Sequence, residues 1–174
     1  NFDIVLDIHS TNSNFNELAI VTKLDKKTKN LLTQVSISKI ALITKKVFKG
    51  GGMINFCKTG VSLEYGPDKT GKNSPKAIKN TLQILSNLGM ISGSKKLFKK
   101  KVVYVVDGIY TLPKSARPNM MLKNFKQIKK GQFIATLNKK KIFSEKTFIP
   151  LFLGKGRYEK SLSLTATKKS ISFK

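Results

Sequence analysis

The chain has 174 residues, with 34 basic against 9 acidic side chains and a formal net charge of +25. Hydrophobic residues make up 40% and aromatics 9%, which is too apolar for a disordered basic tail and enough for one core, or a core plus a smaller unit. The single cysteine, Cys57, excludes an internal disulfide framework, and no apolar run approaches the roughly 18 residues of a membrane span, so a cytoplasmic protein without a membrane partner is the expectation.

Phe2-Asp3-Ile4-Val5-Leu6-Asp7-Ile8 predicts a mostly buried strand, and an opening on such a strand at Asn1 predicts further polypeptide ahead of it. A polar turn, His9 to Asn14, leads to a second strand at Leu18-Ala19-Ile20-Val21. Asp25 is placed to cap a helix through Leu31, Leu32 and Val35, and Ile40-Ala41-Leu42-Ile43 predicts a third strand. Gly50-Gly51-Gly52 reads as a turn free to adopt positive φ, followed by a strand at Val61-Ser62-Leu63-Glu64. Ser74 before Pro75 predicts an N-cap and first helical position, with Ile78, Leu82, Leu85 and Leu88 at helical spacing and an end near Gly89. Strands alternating with helices predict an α/β unit.

After Ser92-Gly93-Ser94-Lys95-Lys96, a linker-like stretch, only strand-like runs remain: 102–106, 109–112, 133–137, 147–153 and 162–166. The expected organisation is an α/β domain over residues 1–94 and a small antiparallel, barrel-like β domain over 95–174.

The charge invites a nucleic acid or another polyanion as partner, without catalysis. Against this, only Arg117 and Arg157 are arginines, and the lysines are scattered in short groups along the whole chain, as in a solvated surface.

The only histidine, His9, sits at the carboxyl end of the first strand, where ligands of α/β sheets gather. It reads either as a metal ligand, with Asp7 near enough to orient it, or as a hydrogen-bonded histidine at a strand edge. Glu64 closes its own strand in the same way and reads either as a general base or as the ion-pair partner of a lysine. Cys57 reads as a small buried apolar residue.

Asp7-Ile8-His9-Ser10-Thr11-Asn12-Ser13-Asn14 resembles the D-[LI]-H-x-T-x-S-N segment of the succinylglutamate desuccinylase/aspartoacylase family of zinc-dependent deacylases. Leu63-Glu64-Tyr65-Gly66-Pro67-Asp68-Lys69-Thr70-Gly71 resembles its E-x-G-P-x-x-x-G segment, and Arg117-Pro118-Asn119, Lys130-Gly131 and Tyr158-Glu159-Lys160 follow in the order of weaker marks of its C-terminal domain. The resemblance implies a zinc-carboxypeptidase-like mixed α/β sheet followed by the small β domain. It makes His9 a ligand of one Zn2+ per subunit and Glu64 the general base. Ser10, Thr11, Asn14 and Tyr158 become candidate contacts to a small N-acyl amino acid, and a homo-oligomer is compatible with it. It also implies two further zinc ligands upstream of Asn1, in an H-x-x-E segment, so that the 174 residues alone are expected to bind zinc poorly and to be inactive. The family's arginine about ten residues before the catalytic Glu has no counterpart in Gly50-Gly51-Gly52-Met53-Ile54-Asn55-Phe56.

Overall fold

A computed structural model describes residues 3–44, 46–47, 52–68, 71–154 and 161–173. Along these residues the order is β1 (Val5–Ser10), β2 (Glu17–Val21), α1 (Lys26–Gln34), β3 (Lys39–Leu42), β4 (Gly60–Tyr65), α2 (Ser74–Asn87), β5 (Lys100–Thr111), β6 (Arg117–Pro118), β7 (Phe133–Leu137), β8 (Lys140–Phe143), β9 (Ile149–Leu151) and β10 (Ser161–Ser172). Seven strands form one mixed sheet in the order β1-β4-β2-β3-β5-β10-β9, and β6-β7-β8 form a small antiparallel sheet. The expected mixed α/β architecture with a small antiparallel β unit is the one observed. Strand β5 pairs in parallel with β3, so the large sheet continues past residue 94.

Alternation along the strands sends successive side chains to opposite faces. One face carries Ala19, Val21, Ile40, Val61, Leu63, Tyr65 and Val103, packed against Leu31, Leu32 and Val35 of the α1 segment and Ile84 of α2. The other carries Leu18, Ala41, Tyr104 and Val106 and, on the outer strands of the same sheet, Ala166 and Leu151, with Phe15, Phe125 and Phe152 against them. Both helices therefore cover one face, and the second face is left to the β1–β2 loop and to loops of the C-terminal half. A third cluster, including Leu112, Ile128, Ile134, Phe148 and Leu162, fills the space around the small sheet.

Helix α1 starts as expected: Asp25 Oδ1 accepts the Thr28 amide at 2.8 Å, and Lys23 lies 2.8 Å from its other oxygen. The neighbouring ammonium first, and the Thr28 amide second, hold the Asp25 carboxyl well below the usual range. At the other end α1 has no basic residue of its own in the last turn. Lys101 of β5, only 3% exposed, fills that role: its Nζ donates to the carbonyl oxygens of Val35 and, at 2.9 Å, of Ile37. Burial pulls the Lys101 pKa down to about 8, with Glu17 opposing the shift.

Several expectations are corrected. Strand β1 is an edge strand rather than a mostly buried one, because it pairs with β4 alone among the described strands, and Ile8 is 46% exposed. Asn73, not Ser74, is the α2 cap residue, and Ser74 Oγ instead donates to Asp68 Oδ2 at 2.8 Å while Asp68 Oδ1 takes the Asn73 amide at 2.9 Å. On α2, Ile78 and Leu82 are 60% and 49% exposed; the buried side is Ile84, flanked by Ala77 and Leu88. The runs at 102–106 and 109–112 are one strand, β5, whose partner β10 shifts register between Thr165 and Ala166. Thr165 Oγ1 donates to Asp107 at that irregularity. Gly52 has φ −74, and Gly50 and Gly51 lie outside the described residues. Cys57 is half-buried rather than buried. Strands β6 and β8 were not anticipated. No helix among the described residues is long and apolar enough to cross a membrane.

Candidate active site

Strands β1 and β4 run in parallel, and their ladder sets Asp7 opposite Ser62, His9 opposite Glu64 and Ser10 opposite Tyr65. In-register neighbours point to the same side, so His9 and Glu64 share one face, the one not covered by the helices. The antiparallel β2–β4 ladder and the parallel β2–β3 ladder extend the row: Glu64 faces Leu18, and Ala19 faces Ile40, which sets Leu18 beside Lys39. The row His9, Glu64, Leu18, Lys39 thus crosses four strands, and the Lys39 ammonium lies 4.5 Å from the centre of the Phe125 ring.

Asp7, two residues before His9 on the same face, places Oδ1 2.8 Å from His9 Nε2; the side chains are 12% and 41% exposed. A carboxylate in that position accepts the Nε2 proton and leaves Nδ1 as the imidazole's lone-pair donor. Carboxylates behind metal-ligating histidines are placed in the same way. Among the described residues, no group of three or more His, Cys, Asp or Glu side chains is disposed to hold a metal ion. The described residues thus fit one ligand position of a zinc ion and do not make a complete site.

The other sequence candidates fall as follows. Ser10 is exposed and, opposite Tyr65, alternates to the helix-covered side of the sheet, away from His9. Thr11 Oγ1 accepts the Ser13 amide at 3.3 Å, closing a turn, and Asn14 is exposed with its carbonyl oxygen bonded to Asn124 Nδ2 at 3.3 Å. Tyr158 lies outside the described residues, as do Glu159 and Lys160.

Gly66 explains the close apposition of the two motif loops. A Cβ on it would lie 1.9 Å from the Phe15 carbonyl oxygen, and its amide donates to Asn16 O at 3.3 Å, so the loop after β1 lies directly on the turn after β4. Asp68, by accepting from Asn73 and Ser74, ties that same turn to the start of α2, and those hydrogen bonds lower its pKa. In the small sheet, Asn119 bonds Phe133 O and the Met121 amide, and Gly131 adopts φ 79 where its amide meets Ser144 O at 2.7 Å. These two motif residues serve the local fold. The roles of Gly66 and Asp68 escaped sequence reading; the Gly-Pro pair after Glu64 was the available signal of a tight turn.

No family model matches the chain, and no curated protein does. Solved structures do. Murine aminoacylase 3 matches with a TM-score of 0.72 at 18% identity, over 98% of this chain and 64% of its own. Succinylglutamate desuccinylase from Vibrio cholerae matches at 0.62 and 15% identity, over 94% of this chain and 52% of its own. An aspartoacylase family protein from Mesorhizobium loti matches at 0.61 and 14% identity, over 99% of this chain and 58% of its own. The chain has their fold. It spans less than two thirds of the length of each, and within that fold His9 and Glu64 occupy the carboxyl ends of two adjacent parallel strands.

Proposed function

We propose that this chain carries part of the active site of a zinc-dependent amidohydrolase that cleaves the amide bond of an N-acyl amino acid in an aspartoacylase-like deacylation, for example N-acetylaspartate to acetate and aspartate. The observation that carries this reading is the in-register pair of His9 and Glu64 on the face free of helices, with Asp7 bonded to the imidazole. The shared fold with an aminoacylase, a desuccinylase and an aspartoacylase family protein supports it.

In this reading His9 contributes one ligand through Nδ1, and the remaining ligands come from residues other than those described. Bound zinc would supply Lewis-acid polarisation of the amide carbonyl and a more acidic water. Glu64 accepts a proton from the water as its oxygen bonds to the carbonyl carbon, then delivers that proton to the amine nitrogen as the C–N bond breaks. The products are a carboxylate and a free amino acid. Thr11 and Asn14, on the loop after β1 that begins beside Ser10, are proposed as substrate contacts, as is Tyr158 of the C-terminal half. A cytoplasmic location belongs to the same proposal.

The test is Glu64→Ala in the complete, zinc-loaded protein, the one that includes the remaining zinc ligands. Deacylation of N-acetylaspartate and related N-acyl amino acids falls by at least about 100-fold, the scale of a lost general base, while zinc content is unchanged. Undiminished turnover overturns the mechanism.

A further inference from the structure

The loop between β1 and β2 carries most of the His9 motif yet has little internal bonding: Ser13 N to Thr11 Oγ1, and Phe15 N to Ser13 O. Its shape is imposed from outside. On one side Asn16 O accepts the Gly66 amide. On the other, two loops of the C-terminal half close on it, and a single side chain bonds both the His9 loop and the turn after β9. Asn124 Nδ2 donates to Asn14 O at 3.3 Å, and Asn124 Oδ1 accepts the Leu153 amide at 2.9 Å. Ser13 Oγ donates to Leu153 O at 3.3 Å, completing a ring of contacts between the two loops.

The residues beside this amide are held in an unusual backbone state. Phe125, immediately after Asn124, has φ 65, and Phe152, immediately before Leu153, has φ 59. Left-handed geometry at two phenylalanines persists only where surrounding contacts over-determine it. The contacts are present: both rings meet Phe15 edge-on, with centroids 5.7 Å and 5.3 Å away, and the Phe125 amide donates to Pro150 O at 2.9 Å.

From this bridge we infer that Asn124 is a positioning residue of the site, setting the loop of residues 11–16 against the turn at 152–154. The inference rests on the deacylase reading for what the loop touches, but the bridge itself does not. His9 and Glu64 are held by the β1–β4 ladder and do not depend on it. Loss of the bridge thus loosens substrate contacts without displacing the base. A residue needed only for folding would instead reduce the amount of active protein.

Two variants separate the arms of the amide. Asn124→Asp keeps an acceptor for the Leu153 amide and removes the donor to Asn14, whereas Asn124→Ala removes both. In hydrogen exchange on the full chain, Asn124→Asp is expected to speed exchange at Ser13, Phe15 and Gly66 about tenfold with Leu153 still protected, and Asn124→Ala is expected to release Leu153 as well. With N-acetylaspartate as probe, both variants raise KM at least fivefold and leave kcat within twofold. Unchanged exchange at Ser13, Phe15 and Gly66, or a fall in kcat at constant KM, overturns the inference. If wild-type protein that includes the remaining zinc ligands turns over no N-acyl amino acid when zinc-loaded, the deacylase reading fails, and the exchange experiment alone decides whether Asn124 sets the loop.

Discussion

His9 and Glu64 are rungs of the same parallel ladder, one residue across from the other on adjacent strands. Their separation is set by backbone hydrogen bonding between β1 and β4, at roughly 4.8 Å between strands, and not by loop conformation. A ligand-type residue and a base-type residue are therefore held together by the most regular part of the fold.

Asp7 is the residue that gives this imidazole a defined tautomer. Asp7→Asn keeps the shape and removes the charged acceptor, so zinc bound at His9 should be held about 10- to 100-fold more weakly. Competition with a chromophoric chelator measures this directly. Equal affinity in the variant would show that Asp7 does not orient His9.

Gly66→Ala should be costly because the new methyl meets backbone, not a side chain that can swing away. We expect a loss of about 2 kcal/mol or more in urea unfolding. Gly52→Ala is the control: its nearest neighbour would be 4.0 Å away and its φ is −74, so it should be neutral or slightly stabilising.

Lys101 predicts a pH dependence opposite to that of an ordinary surface lysine. Its amine gives up its proton near 8 when folded and near 10.5 when unfolded, so between those values the unfolded chain binds more protons and stability rises with pH. By pH 9.5 the gain is on the order of 1 to 2 kcal/mol. Urea unfolding at pH 7.5 and 9.5 should show that increment in the wild type over Lys101→Met. Identical slopes for the two proteins would remove Lys101 as its source.

The two apolar stripes of α2 should behave differently. Ile84→Ala empties a fully buried position and should cost about 2 to 5 kcal/mol, whereas Ile78→Ala, at a 60% exposed position, should change stability by less than about 0.5 kcal/mol. Denaturant midpoints of the two variants check it.

The sequence was most legible where an element's own residues decide its state. Asp25 caps α1 because the acceptor and the amide it serves are three residues apart, and the short apolar runs of β2 and β3 and the alternating Val61-Ser62-Leu63-Glu64-Tyr65 of β4 locate themselves. Helix α2 shows the limit: Leu88 belongs both to the exposed stripe with Ile78 and Leu82 and to the covered side with Ile84, and spacing alone cannot say which stripe meets a sheet. The hairpin joining β7 to β8 is not legible from residues 138–141, a lysine-rich stretch. Its turn rests on Asn138 and Lys139 at φ 48 and 64, a conformation for which Lys139 gives no warning. In the site, His9 and Glu64 stood out as rare residue types closing apolar strands. Asn124 did not, because its partner Asn14 is 110 positions away and an asparagine in a polar loop is unremarkable.

Strand β10 pairs with β5 from Ser161 to Ser172, and among the described strands the hydrogen-bonded order places β5 between β10 and those that hold His9 and Glu64. The sheet thus joins strands far apart in sequence, and its outer wing closes only when β10 has formed. Folding should be governed by this long-range pairing and be slow for the chain's size, with β5 exposing a bare edge to aggregation until it is covered. During synthesis, β5 would wait with an open edge for a strand made about sixty residues later.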